Sequence, residues 1–250
     1  MSRWLPLAIR LLVLALLVVF LVTPESFAGL LLPLTKNNQP PIYTQSALVD
    51  LAVSHIVIVA IATIASTLVA VGLAILVTRP AGREFLPLSR SLANIGQTFP
   101  PVAVLAIAVP LLGFGTAPTL VALFLYGLLP IFENALTGLT TLPPDVSEAA
   151  LGVGMTGPQR LWLVELPLAM PVILAGIRLS VVVSVATATI GSTVAAHTLG
   201  EVIIAGLLND NTAWVLEGGV IVAVLAVLIY DSLSAVERLL TRRMMGRRPG

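Results

Sequence analysis

The sequence predicts an all-α integral membrane protein of about six transmembrane helices, and two observations carry that expectation. Hydrophobic residues make up 58% of the 250 positions and charged residues only 10%, against roughly 25% charged in a typical soluble domain. So little polar surface cannot cover a water-facing body, which excludes a soluble enzyme, a disordered chain and a collagen-like one. The few charges are also spaced so that uncharged stretches long enough to cross a bilayer lie between them. A helix crossing a hydrocarbon core of about 30 Å needs about 20 apolar residues. The absence of cysteine excludes a disulfide framework, thiolate metal ligation and a cysteine nucleophile.

Taken in order, the first span lies between Arg10 and Glu25 and the second between Asp50 and Arg79, most apolar from Val53 to Val77. Arg90 to Glu133 encloses 42 uncharged residues, too many for one crossing. The segment Gly113-Phe114-Gly115-Thr116-Ala117-Pro118 divides them into two spans. A fifth span falls between Arg178 and Glu201, and a sixth runs from Gly218 to about Val236, interrupted by Asp231. Residues 24–46, rich in proline and asparagine, form an irregular or interfacial outside segment.

Basic residues give the direction. With the N-terminus inside, segments 1–10, 79–90, 133–178 and 235–250 are cytoplasmic. They hold 12 of the 13 Lys and Arg residues, leaving only Lys36 outside. Both termini are then expected in the cytoplasm, with Arg3, Arg10 and the run Arg238 to Arg248 as anchors on membrane lipid rather than a nucleic-acid site. Arg3 and Arg10, the apolar run Leu11 to Val22 and Ser26-Phe27-Ala28 also fit a cleavable signal peptide. Cleavage would leave five spans with unchanged directions.

Within the inside segments, 137–170 is too apolar for a free loop and too polar for a span. Asp145-Val146-Ser147-Glu148 has the pattern of a capping box opening a short helix after Pro143-Pro144. Gly152-Val153-Gly154-Met155 breaks that helix, since glycine accepts φ > 0. Thr156-Gly157-Pro158-Gln159 repeats the start signal, and a second helix should carry Arg160, Leu161, Trp162 and Leu163 towards Pro167. Helix, glycine turn and helix on the cytoplasmic face describe a docking element.

This segment resembles the signature of the membrane subunits of binding-protein-dependent ABC importers: Glu-Ala-Ala, three residues, Gly, nine residues, Ile, one residue, Leu-Pro. Here the positions are Glu148-Ala149-Ala150, Gly154, Val164 and Leu166-Pro167, with Val in place of Ile. The resemblance extends from about Ser46 to Arg243. Val77-Thr78-Arg79-Pro80, Gly96 to Leu105, Glu165 to Ala169 and Thr187 to Val194 look like permeases of the osmoprotectant branch, the glycine betaine uptake type. His197 and Glu133 depart from that pattern.

The resemblance implies a MetI-like permease core over 46–243, preceded by an N-terminal helix and outside segment (1–45) and followed by a basic tail (244–250). It implies that residues 145–162 insert into a partner ATPase, with Glu148, Ala149, Ala150, Gly154, Met155, Arg160, Leu166 and Pro167 coupling the two. The implied partners are an ABC ATPase dimer, a second permease subunit (copy or paralogue) and an exported substrate-binding protein, all at a bacterial inner membrane.

The residues themselves point to a motor in trans. A P-loop needs a lysine inside a glycine-rich turn, and the single lysine, Lys36, lies in a proline-rich segment without that pattern. No cofactor is expected on this chain; ATP and Mg would belong to the partner, and the chain would not be an enzyme. The two histidines, His55 and His197, are too few and too far apart in sequence for a metal site. An aromatic cage for a quaternary ammonium is not apparent either, since Trp4, Trp162, Trp214, Tyr43, Tyr126 and Tyr230 are scattered. Selective capture is then expected on the external protein, with a polar, uncharged path here. Asn94, Gln97 and Thr98 of the third span and Thr187, Thr189, Ser192 and Thr193 of the fifth are its candidates. Small polar residues in membrane helices also serve helix packing, and Arg178 and Asp231 are expected to snorkel or to pair. Other readings are an importer for another small solute such as an amino acid, an ion-driven carrier, or an intramembrane hydrolase built on Ser180 or Ser192 and a lone His.

Overall fold

The computed structural model describes residues 5–36 and 38–244, so Arg3, Arg247, Arg248 and the end of the tail lie outside the described residues. All regular structure among those residues is helical. Helix α1 (Leu5–Val22) is followed by short helical turns from Pro24 to Leu34, of which α2 is Ala28–Leu31. Then come α3 (Leu48–Thr78), α4 (Leu86–Thr98), α5 (Pro101–Leu112), α6 (Thr116–Thr140), α7 (Pro144–Gly152) and α8 (Gly157–Arg160). A π-turn over Leu161–Glu165 joins α8 to α9 (Leu166–Thr187), and a 3-10 segment, Ala188–Val194, continues it. Helices α10 (Gly200–Leu208) and α11 (Thr212–Met244) complete the order.

Four of the helical runs are long and apolar enough to cross a membrane, and up to six if each of two broken pairs counts as one span. The expected six therefore match only with the broken pairs included. One break bends the chain by 108° between Ala8–Val22 and Pro24–Leu34, where Pro24 enters. The other lies inside the expected third span, which is not one helix: α4 stops at Thr98, and Phe99 is extended (φ −102°, ψ 141°). Pro101 then opens α5. The expected fifth span ends early, tightening into the 3-10 segment at Ala188 rather than reaching Glu201. The sixth is longer than the charges indicate. Glu217 lies inside α11 and is 1% exposed, so it does not mark a water boundary.

The packing divides the chain into two compact units. The first comprises Met1–Ile61, Pro101–Leu123 and Val182–Ile229; the second comprises Ala62–Pro100, Phe124–Val181 and Tyr230–Gly250. In the second unit Leu128, Ile131, Phe132, Ala135 and Leu139 recur at helical spacing along α6. They pack with Ala70, Ala74 and Val77 of α3 and with Leu166, Ala169 and Ile173 of α9. Alanines at 70 and 74 keep that face of α3 small, which lets helices approach closely where lipid provides no hydrophobic drive.

In the first unit Leu31, Ile42 and Ala213 form a smaller core with Phe20, Ala28 and Leu34. Lys36 and residues 38–46 are held by contacts between distant parts of the chain. Lys36 pairs with Asp210 at 2.9 Å, Gln39 donates to the Asn209 carbonyl at 2.8 Å, and Asn211 donates to that of Pro40 at 3.0 Å. The ring of Tyr43 meets Trp214 edge-on at 5.4 Å. Two aromatics separated by most of the sequence are thus neighbours, which corrects the expectation of scattered rings for this pair.

Candidate functional site

The segment expected to couple lies wholly within the second unit. Helix α7 begins two residues earlier than the capping-box pattern requires: Pro143 is the N-cap, Pro144 holds the first turn, and no side chain caps it. Asp145 is therefore inside the first turn, where a carboxylate complements the helix dipole. Glu148 is freed from capping and is exposed. The expected box forms instead one helix later. The Thr156 backbone N–H donates to Gln159 Oε1 at 2.9 Å, and Gln159 N–H donates back to Thr156 Oγ1.

Between the two helices, the Met155 N–H donates to the Ala150 carbonyl at 3.0 Å and the Gly154 N–H to that of Leu151 at 2.9 Å. With Gly154 at φ +79°, this pair of bonds closes α7 in a Schellman motif. An added Cβ at Gly154 would meet nothing within 4 Å, so its requirement is purely conformational. Gly154→Ala should cost about 1 kcal/mol of turn stability and lower transport several-fold. Gly152→Ala, also free of contacts within 4 Å, should leave the turn intact. Amide exchange at Gly154 and Met155 in the two variants checks this.

The residues expected to couple fall into two groups. Glu148, Ala149 and Gly154 are exposed and Met155 and Arg160 half-buried, whereas Ala150 and Leu166 are buried. Leu166 belongs to the core of α3, α6 and α9, so its place in the Leu-Pro motif is accounted for by packing. Around the exposed group stand Leu151 (57% exposed), Val153 (75%), Trp162 (67%) and Leu163 (66%). These apolar side chains flank a carboxylate on a short, capped helical element.

What holds that element is Glu165, which sequence reasoning placed only within a family stretch. Its Oε1 accepts from Arg160 Nε at 2.8 Å, and its Oε2 accepts from Arg79 just beyond α3. The carboxylate side chain is 13% exposed. One half-buried anion therefore ties α8 to the end of α3. The only sequence signal for it was the placement of Arg79 and Arg160 on one side of the membrane.

The seven path candidates divide between the units. In the second, the Gln97 amide donates to the Tyr126 carbonyl at 3.1 Å and Thr98 donates to that of Asn94 at 3.1 Å. Tyr126 returns the link, its hydroxyl donating to the Phe99 carbonyl that the helix break leaves free. Asn94, Gln97 and Thr98 are all exposed. Glu133 holds Arg90 bidentately, at 2.6 and 3.0 Å. Arg178 pairs with Glu237 at 2.5 Å, donates to Ser234 at 3.1 Å and lies 4.9 Å above the Tyr230 ring.

In the first unit, Thr189 and Thr193 donate to carbonyls three residues back, at 2.7 and 2.6 Å. Both line a cavity of about 170 Å³ with Ile190, Gly200, Ile203 and Ile204. Ser192 instead bonds Thr198 Oγ1 at 2.7 Å, and Thr198 donates to the Ala188 carbonyl at 3.1 Å. That pair fastens the turn after the 3-10 segment, so Ser192 acts through backbone geometry; Thr187 is half-buried at the end of α9.

Nearby, Glu201 accepts from Ser46 at 2.6 Å and from the Tyr43 hydroxyl at 2.8 Å, and pairs with His197 at 2.9 Å. Burial pushes the Glu201 carboxyl up, but those donors outweigh it and hold the group below the usual carboxylate range. Tyr43 is pushed up to about 12 by burial and by the Glu201 carboxylate. His197 thus has a structural partner at a position where the family resemblance expects a small residue. Asp50, Ser54 and His197 line a separate cavity of about 390 Å³.

The family model for the binding-protein-dependent transport system inner membrane component matches residues 70–246. The chain belongs to that family. It is a membrane permease subunit of ABC-importer type. It is 41% identical over 192 residues to the osmoprotectant import permease protein OsmY of Salmonella typhimurium, covering 76% of this chain and 80% of that one. It is also 41% identical over 193 residues to the choline transport system permease protein OpuBB of Bacillus subtilis, covering 77% and 88%. Its fold is similar to that in inward-facing structures of the MetNI methionine ABC transporter. One such chain has a TM-score of 0.70 at 20% identity, with 80% of this chain and 100% of that one covered. That likeness concerns the fold alone. The expected MetI-like architecture and the osmoprotectant-type relatives of this permease are thus found.

Proposed function

We propose that this permease carries glycine betaine, choline or a closely related osmoprotectant inward across a bacterial inner membrane by alternating access. Its power comes from ATP bound with Mg on a separate ATPase dimer. A loaded exported receptor docks on one face; closure of the ATPase pair pushes on residues 145–162 at the other. One coupling segment per chain against a paired motor requires a second permease subunit, a copy or a paralogue. The positions of 12 of the 13 basic residues support cytoplasmic termini.

The observation that carries this reading is the exposed, capped element around Glu148, with its apolar Leu151, Val153 and Trp162 and its ionic tie through Glu165 to Arg79. Exposed apolar residues on a short rigid helix are the surface a partner groove covers. The substrate class follows the names of the relatives rather than any cage on this chain.

The test is uptake by the complete complex in proteoliposomes. Glycine betaine and choline should compete with each other, amino acids should not, and uptake should stop when ATP inside is removed. Uptake that survives ATP removal and collapses with an ionophore would make the chain an ion-driven carrier. Competition by amino acids but not by choline would reassign the solute.

A further inference from the structure

A groove of about 380 Å³ runs between α1 and α11 in the first unit, and its wall is almost wholly apolar. Leu16 and Phe20 of α1, Phe27 and Leu30 beyond the bend, and Val220 and Val224 of α11 line it. Leu16, Leu30 and Val220 are exposed large hydrophobics. One residue is of a different kind. Glu217 lines the same groove at 1% exposure, and its Oε2 accepts the Tyr43 N–H at 2.9 Å. Its Oε1 is buried and has no hydrogen-bond partner among the described residues. A buried carboxylate with a single donor is costly, and a natural orphan of this kind marks a missing partner.

What such an oxygen lacks is an N–H or O–H donor, and a cationic donor would also offset a carboxylate charge. Glu25, in the turn beyond α1, is a second acidic residue whose charge Glu217 feels. The edge-to-face pair of Phe20 and Phe27, 4.8 Å apart, adds ring surface that also favours positive charge. Glu217 lies five residues from the start of α11, about 8 Å along its axis. The exposed Lys36–Asp210 pair stands just before that helix. An apolar trough with an acidic end near the polar end of a span matches an amphiphile with a cationic head.

We propose that this groove holds one membrane phospholipid with a primary ammonium head, its N–H donating to Glu217 Oε1 and an acyl chain lying along the apolar wall. The site concerns the lipid and not the transported solute, so it stands apart from the substrate assignment.

The experiment is native mass spectrometry of the full chain released from detergent, with dioleoyl phosphatidylethanolamine, phosphatidylcholine or phosphatidylglycerol added. The first two differ at the head only in the methyl groups that remove every N–H donor. Phosphatidylethanolamine should be retained about five-fold over both others. Glu217→Gln keeps the acceptor for Tyr43 and should reduce the preference; Glu217→Leu should abolish it. Thermal unfolding checks that each variant is folded, and Glu217→Gln alone decides the matter if the leucine variant is not. Equal retention of the three lipids, preference unchanged in Glu217→Gln, or displacement of the bound lipid by soluble choline would overturn the proposal.

Discussion

Glu165→Ala should abolish coupled transport while leaving the chain inserted in the membrane. The carboxylate holds Arg160 at 2.8 Å and also bonds Arg79, with the two guanidinium side chains 23% and 26% exposed. Removing it leaves two half-buried cations facing each other without an anion. Loss of one partner from a buried ionic group costs about 3–5 kcal/mol, and partial exposure here reduces that to roughly 2 kcal/mol. The larger consequence is mechanical. Arg160 closes the second docking helix and Arg79 follows α3, so the carboxylate is the polar joint between the element that would receive force and a span that would move. Uptake should fall at least ten-fold, and ATP hydrolysis by the complex should lose its dependence on loaded receptor. Glu165→Gln keeps one acceptor oxygen, enough for one of the two guanidinium groups, and removes the charge, so it should retain intermediate transport. Receptor-dependent ATP hydrolysis unchanged in Glu165→Ala would show that the joint does not transmit the movement.

The pieces of that joint were partly legible in the sequence. Local turn chemistry was readable because it depends on neighbours: the Thr156 box and the glycine turn at 154 follow from residues within a few positions. The same reasoning misplaced the start of α7, because Pro144 is well suited to the first helical turn and takes it ahead of Asp145. Charge spacing located α3 well but fell short at α6, which runs past Glu133 to Thr140, and at α11, where Glu217 is charged in formula yet buried among helices. Contacts such as Tyr43 to Glu217 and Glu201, more than 150 positions apart in sequence, have no local pattern at all. Near the path candidates, the break between α4 and α5 is a local effect of Pro101, which opens α5. That the Phe99 carbonyl would be satisfied by Tyr126 depends on how α4 and α6 cross.

That crossing sets the second large effect. Gly96→Val should eliminate transport and destabilise the chain, because the crossing of α4 and α6 has no room for any side chain there. An added Cβ would sit 2.2 Å from the Leu125 carbonyl oxygen, 2.4 Å from its carbon and 2.9 Å from the Tyr126 nitrogen. All three are backbone atoms inside a helix, so no rotamer change relieves them and the helices must separate. Overpacking of this kind costs about 1–3 kcal/mol for a few methylenes in a tolerant core, and valine against rigid backbone belongs at the upper end. Separation also breaks the two bonds beside it, Gln97 to the Tyr126 carbonyl and Tyr126 to the Phe99 carbonyl. The second leaves the carbonyl at the helix break without its donor, which is serious where water is excluded. Gly96→Ala should show the same defects in weaker form, and Tyr126→Phe should reproduce the loss at the break without the clash. Thermal unfolding in detergent and uptake in proteoliposomes separate these effects. The valine variant should lose both stability and uptake, and Tyr126→Phe mainly uptake. A Gly96→Val chain with unaltered unfolding temperature would mean that α4 and α6 do not meet at this glycine.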